Sequence, residues 1–89
     1  MVSNTEVVLA FRDGKLAKSK SMTSLGDKLL SYGTVICEKY NDKYYYNNTK
    51  YSNSTSKHQS IVKGLIPINV ELSNIKLGTK ELVRRENGN

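Results

Sequence analysis

The chain has 89 residues, a formal net charge of +6 and 37% hydrophobic residues, which bounds it to one domain with one modest core. A single cysteine and a single histidine exclude an internal disulfide and leave no ligand set for a metal. No run approaches the ~18 apolar residues of a membrane span, and the start MVSNTEVVLAF has no signal-peptide pattern, so an intracellular protein without a cofactor is expected.

Residues 1–5 read as a flexible polar lead. Glu6 to Phe11 (EVVLAF) is β-branched and apolar, a strand by propensity. Asp13-Gly14 suits a type I′ turn, so a hairpin is expected with Phe11 opposite Leu16. Lys15, Lys18 and Lys20 then blunt the returning strand. Ser21 to Lys28 is polar, with a loop at Gly26-Asp27. Leu29 to Tyr40 reads as the central strand, bulged or closely approached at Gly33.

Asn41-Asp42 forms a two-residue turn into Lys43 to Asn47. The implied pairs are Tyr40/Lys43, Lys39/Tyr44, Glu38/Tyr45 and Cys37/Tyr46. Because side chains alternate with a period of two, one face carries Val35, Cys37, Tyr44 and Tyr46. The other carries Thr34, Ile36, Glu38, Tyr40 and Tyr45. The first is taken as the core side.

A helix is expected from about Ser56 to Lys63. Ser56 and Gln59 have capping-box spacing, Ile61, Val62 and Leu65 recur at helical spacing, and Gly64 with Pro67 ends it. Ile68 to Leu72 alternates as a half-buried strand. Ile75 to Leu77 suggests a short strand, residues 80–83 a terminal turn, and residues 84–89 a frayed tail. The class is α+β: a single domain over 6–83, with a small antiparallel sheet of two hairpins plus a later strand and one short helix packed on it.

Three groups of side chains carry chemistry. The helix start offers free backbone N–H groups, the hydroxyls of Ser54, Thr55 and Ser56 and the ammonium of Lys57, with Asn47, Asn48, Lys50 and Tyr51 arriving from upstream. These are the donors and positive charge that a phosphate needs, or simply a well-capped helix. Tyr40, Tyr44, Tyr45, Tyr46 and Tyr51, with Tyr32 nearby, could stack bases beside lysines, fill the core, or form a protein interface. His58 shares a stripe with Ile61, Val62 and Leu65, so it reads as a polar anchor for the helix. A catalytic role would need a second titrating partner. Glycine-rich nucleotide loops, paired carboxylates and serine elbows are missing from the sequence.

The segments Asn47-x-Thr49-Lys50-Tyr51-Ser52 and Thr55-Ser56-Lys57-His58-Gln59 carry a resemblance. So do Phe11-Arg12-Asp13-Gly14-Lys15-x-Ala17-Lys18, Gly26 and Ser31-Tyr32-Gly33-Thr34-x-Ile36. Together they resemble a group of small proteins encoded by phages and related mobile elements, over roughly residues 11–60. The resemblance implies a viral or mobile-element setting, and a host cytoplasm is expected. It brings no established activity and no catalytic residue.

The expectation is a non-enzymatic binding protein that contacts nucleic acid with low sequence specificity through Asn47, Lys50, Tyr51, Ser56, Lys57, Tyr44 and Tyr45. The competing expectation is a protein-interaction module, acting as inhibitor, modulator or assembly protein, that turns the tyrosine-rich surface to an acidic host protein. An exposed sheet edge also makes a homodimer an expectation.

Overall fold

The computed structural model describes residues 2–83; Met1 and the expected frayed tail, residues 84–89, lie outside the described residues. The first element is a helix, α1 (Asn4–Arg12), where a strand was expected. Two local signals fix its ends. Ser3 and Glu6 form a capping box: the Glu6 N–H donates to Ser3 Oγ at 3.2 Å and the Ser3 N–H donates to Glu6 Oε1 at 3.3 Å. At the other end the Lys15 N–H donates to Ala10 O and the Gly14 N–H to Phe11 O, with Gly14 left-handed at φ +74°. That is a Schellman ending, so Asp13-Gly14 stops a helix and makes no hairpin. Val7, Val8 and Phe11 then fall on one helical face, all fully buried. Capping and burial outweigh the weak strand preference of two valines. Asn4 and Thr5, expected in the polar lead, accordingly belong to the helix, with Ser3 as its cap.

Six strands follow: β1 (Leu16–Lys18), β2 (Met22–Leu25), β3 (Lys28–Ser31), β4 (Thr34–Tyr40), β5 (Lys43–Asn47) and β6 (Val70–Leu72). They form one sheet in chain order. The first five make an antiparallel meander, while β6 runs parallel to β5. The second helix, α2 (Asn53–Leu65), makes that crossover. The α+β class stands, with two helices in place of one and a mixed sheet in place of two hairpins plus a strand. The expected central strand is folded in two at Tyr32-Gly33, both left-handed with φ +49° and +83°. Asn41-Asp42 turns as expected, again with both residues left-handed (φ +52° and +61°). Residues 75–77 form no strand and residues 80–83 no helical turn.

The β4–β5 register is the expected one, Cys37 opposite Tyr46 through Tyr40 opposite Lys43. Two face assignments change, those of Val35 and Ile36. Leu29 pairs with Cys37 but Leu30 with Val35, which leaves Ile36 as an extra residue in a bulge. Leu29 and Leu30 point to opposite faces, so Val35 and Cys37 do too. Ile36 and Cys37 both join the core under the helices, with Met22, Leu29, Tyr44, Tyr46, Val62 and Ile66. Phe11 and Tyr44 meet there edge-to-face, ring centroids 5.8 Å apart. Val35, expected in that core, lies on the opposite face with Glu38. Both are fully buried: the Val35 N–H donates to Thr79 O at 2.9 Å and the Leu82 N–H to the Glu38 carboxylate at 2.7 Å. The segment after β6 therefore covers the middle of the sheet's second face.

Candidate nucleic-acid interface

The start of α2 lies upstream of the sequence expectation. Ser52 is its N-cap: Ser52 Oγ accepts from the Thr55 N–H at 3.2 Å and Ser52 O accepts from the Ser56 N–H at 2.9 Å. Ser56, expected as the cap, is a half-buried residue inside the helix. Gln59 takes no part in capping. Its amide donates to Asn47 O at 2.7 Å and Thr49 O at 2.9 Å, tying α2 to the chain leaving β5. Asn53 and Ser54 are exposed, and Lys57 is exposed on the same side of the helix. Lys50 is exposed just before the cap. The sequence holds no aspartate or glutamate between Asp42 and Glu71, so these lysines meet no acid from their own elements. That acid-free stretch was legible in the sequence and is a sharper signal than the hydroxyl-rich helix start.

Other predicted contacts are not at the surface. Asn47 is fully buried. Its Nδ2 donates to Val35 O at 3.0 Å and to Tyr51 Oη at 2.9 Å, while its Oδ1 accepts from the Thr49 N–H at 3.0 Å. The Tyr51 hydroxyl in turn donates to Ile75 O at 2.6 Å, so this half-buried tyrosine has its polar end turned inward. Tyr44 is buried, with its hydroxyl on Arg12 O at 3.3 Å and the Lys39 ammonium over its ring. Asn47 and Tyr44 are thus structural groups, withheld from any ligand. Strand alternation explains the burial of Tyr44, because the residues flanking the half-exposed Tyr45 face the helices. Tyr45 itself shares the opposite face with Glu38 and Val70, away from α2.

His58 is an anchor with two hydroxyl partners. Its Nδ1 lies 2.6 Å from Ser31 Oγ and its Nε2 lies 3.3 Å from Ser21 Oγ. The network continues from Ser31 to Thr55 Oγ1 at 3.4 Å, and from Ser21 and Ser19 to Asn4 Oδ1 at 3.4 Å and 2.5 Å. It therefore links α2, β3, the β1–β2 turn and the first turn of α1. Burial lowers the pKa of His58 below the usual imidazole value, which keeps the ring neutral at pH 7. Neutral imidazole suits this network, because one nitrogen donates and the other accepts. Both ring nitrogens face hydroxyls, and neither faces a carboxylate that would orient the ring as a general base. No group of three or more His, Cys, Asp or Glu side chains gathers to hold a metal among the described residues. Cys37 is buried, and its thiol is pushed up to about 12, chiefly by that burial.

One exposed aromatic stands out beside this network. Tyr32 is 62% exposed, and its ring lies 5.6 Å from the His58 ring, tilted by 32°. Its N–H donates to Ser21 O at 2.9 Å, and the following Gly33 O accepts from the Lys80 ammonium. Lys80 reaches Gly33 directly, and Lys20 and Lys57 are the chain neighbours of Ser21 and His58. All three are exposed. The sequence pattern puts Tyr32 inside a long strand, so the turn that presents it was hidden.

No helix among the described residues is long and apolar enough to cross a membrane. No curated protein and no solved structure matches the chain. Residues 5–66 match the family model DUF8033, a family of unknown function. That stretch holds α1 from Thr5 on, the five-stranded meander and α2, including Tyr32, His58 and Lys57; the chain belongs to this family.

Proposed function

We propose that the protein is a non-enzymatic basic binding protein that contacts nucleic acid with low sequence specificity, at the end of the molecule where Tyr32 meets α2. The observation that carries this reading is the exposed Tyr32 ring, fixed by a left-handed turn and backed by His58, with the Lys80 ammonium on the adjacent Gly33 carbonyl and exposed Lys20 and Lys57 next in sequence to the residues that Tyr32 contacts. A preset aromatic face loses little entropy when a base stacks on it, and each such stack contributes about 1–3 kcal/mol. The lysines supply diffuse phosphate contact, and the acid-free α2 start with Lys50, Asn53 and Ser54 extends the positive surface. Lysine in place of arginine favours charge attraction over bidentate base reading. Of the seven contacts expected from the sequence, Lys50 and Lys57 are kept and Tyr32 is added. The phage or mobile-element setting rests on the motif resemblance and is part of the same proposal.

Fluorescence anisotropy with labelled single-stranded and duplex oligonucleotides at 50 and 200 mM salt tests it. Expected are tighter binding to single strands and a loss of at least tenfold over that salt range, since several phosphates are contacted. Tyr32→Ala should weaken single-strand binding by about fivefold or more, and Lys57→Glu should weaken both forms. No binding of either form at 50 mM salt would overturn the proposal.

A further inference from the structure

A second surface lies at the opposite edge of the sheet from β6. Among the described residues β1 is an edge strand paired only with β2. The Ser19 N–H donates to Met22 O at 2.8 Å, and antiparallel ladders alternate, so Ala17 and Ser24 form the next mutually bonded pair. Leu16 and Lys18, opposite Leu25 and Thr23, therefore aim their N–H and C=O groups away from β2. On this strand pair two exposed leucines stand directly opposite each other, Leu16 at 76% and Leu25 at 50% exposure. Lys15 precedes Leu16, Lys18 follows it by two residues and Lys20 lies in the β1–β2 turn, all exposed.

We infer that β1 is a docking edge for an extended, acidic segment of a partner protein, which adds as a seventh, antiparallel strand. Charge decides the occupant. A second copy would bring the same three lysines against themselves on a chain of net charge +6, a like-charge juxtaposition that costs affinity. An acidic segment meets them favourably. The register also sets the partner's pattern. Lys18 and Leu16 share one face of the sheet two residues apart, and the added strand runs the other way. The partner must therefore place an acidic residue opposite Lys18 and, two residues later in its own sequence, an apolar one opposite Leu16. The Leu16 and Lys18 peptide groups exchange four hydrogen bonds with those two residues.

The probe is a labelled peptide of about seven residues built on acid-x-apolar spacing, read by anisotropy and by amide chemical shifts in the full-length protein. Three controls accompany it: the same composition in reversed order, an N-methylated version at the two bonding positions, and a lysine-for-acid version. Saturable binding with shifts concentrated at Leu16 and Lys18 is expected. The N-methylated and reversed peptides should bind at least tenfold more weakly, and Lys18→Glu should weaken the original peptide about fivefold while restoring the lysine version. Both residues are exposed, so Lys18→Glu and Leu16→Asp leave the core untouched. Equal binding of the N-methylated peptide, absence of binding, or shifts elsewhere would overturn the inference. So would a concentration-dependent dimer abolished by Leu16→Asp, which would assign the edge to a second copy.

Discussion

Replacing Asn47 by aspartate changes one NH2 to one oxygen and alters no shape, which makes it a direct test of the bracket between β5 and α2. In the folded protein Asn47 Nδ2 donates to Val35 O and to Tyr51 Oη, at 3.0 Å and 2.9 Å. Asn47→Asp removes both donors and turns an acceptor toward Val35 O. Each buried group left unsatisfied costs about 1–3 kcal/mol, with more for the new buried charge. The expected loss is about 3–5 kcal/mol, a large share of the roughly 5–10 kcal/mol available to a domain of this size. At about 4–8 °C per kcal/mol for a small domain, Tm should fall by at least 12 °C. Urea and thermal melts followed by circular dichroism measure this. Asn48→Asp is the control: Asn48 is exposed, and its amide meets only Glu71 Oε1 at 3.1 Å, so it should cost under about 1 kcal/mol. Lowering the pH should narrow the Asn47→Asp deficit, because a protonated carboxyl regains one donor. Equal stabilities of the two variants, or an Asn47→Asp loss below about 1 kcal/mol, would refute the bracket.

Three further outcomes are expected. Gly64 sits inside α2, and nothing within 4 Å would meet an added Cβ, so Gly64→Ala should stabilise the fold by about 0.5–1 kcal/mol in urea melts. Cys37 should stay silent to a disulfide reagent such as DTNB at pH 8 in the native state and react only as the chain unfolds. Prompt native labelling would show the thiol to be accessible. Burial lowers the His58 pKa below its unfolded value near 6.5. Its stabilising contribution is therefore complete above about pH 6.5 and declines as pH falls toward the folded value, because the unfolded chain takes up the proton first. His58→Gln should flatten that part of the stability profile, and superimposable profiles between about pH 7.5 and 5 would contradict the assignment.

The parts of the fold legible in the sequence were those governed by local pattern. Asn41-Asp42 and the alternation on either side are enough to read the β4–β5 register, residue for residue. The α2 helix is legible from its apolar spacing, although Ser52 caps it in place of Ser56 because several hydroxyl-rich positions compete for one role. α1 is ambiguous because Glu6 to Phe11 is compatible with both states. Its deciding marks, Ser3-x-x-Glu6 and Asp13-Gly14, are present in the sequence but are outweighed there by the strand preference of the valines. The Ile36 bulge is invisible: nothing in Val35-Ile36-Cys37 marks an extra residue, and strict alternation puts Val35 on the wrong face. At the site, charge alone points to Lys50 and Lys57. Tyr32 is masked because Leu29 to Tyr40 looks continuous, and only the left-handed pair Tyr32-Gly33 lifts it into solvent.

The single parallel pairing has a consequence for how the chain assembles. β1 to β4 each join the next strand through a short turn, so those closures need little ordering of intervening chain. β6 finds its berth only after the whole of α2 has crossed the sheet, which makes it the last strand to arrive and the first to leave. Among the strand amides bonded to a neighbouring strand, exchange should therefore run fastest at Glu71 and slowest at Cys37. The outer rank of the sheet is then a latch that opens without disturbing the meander behind it.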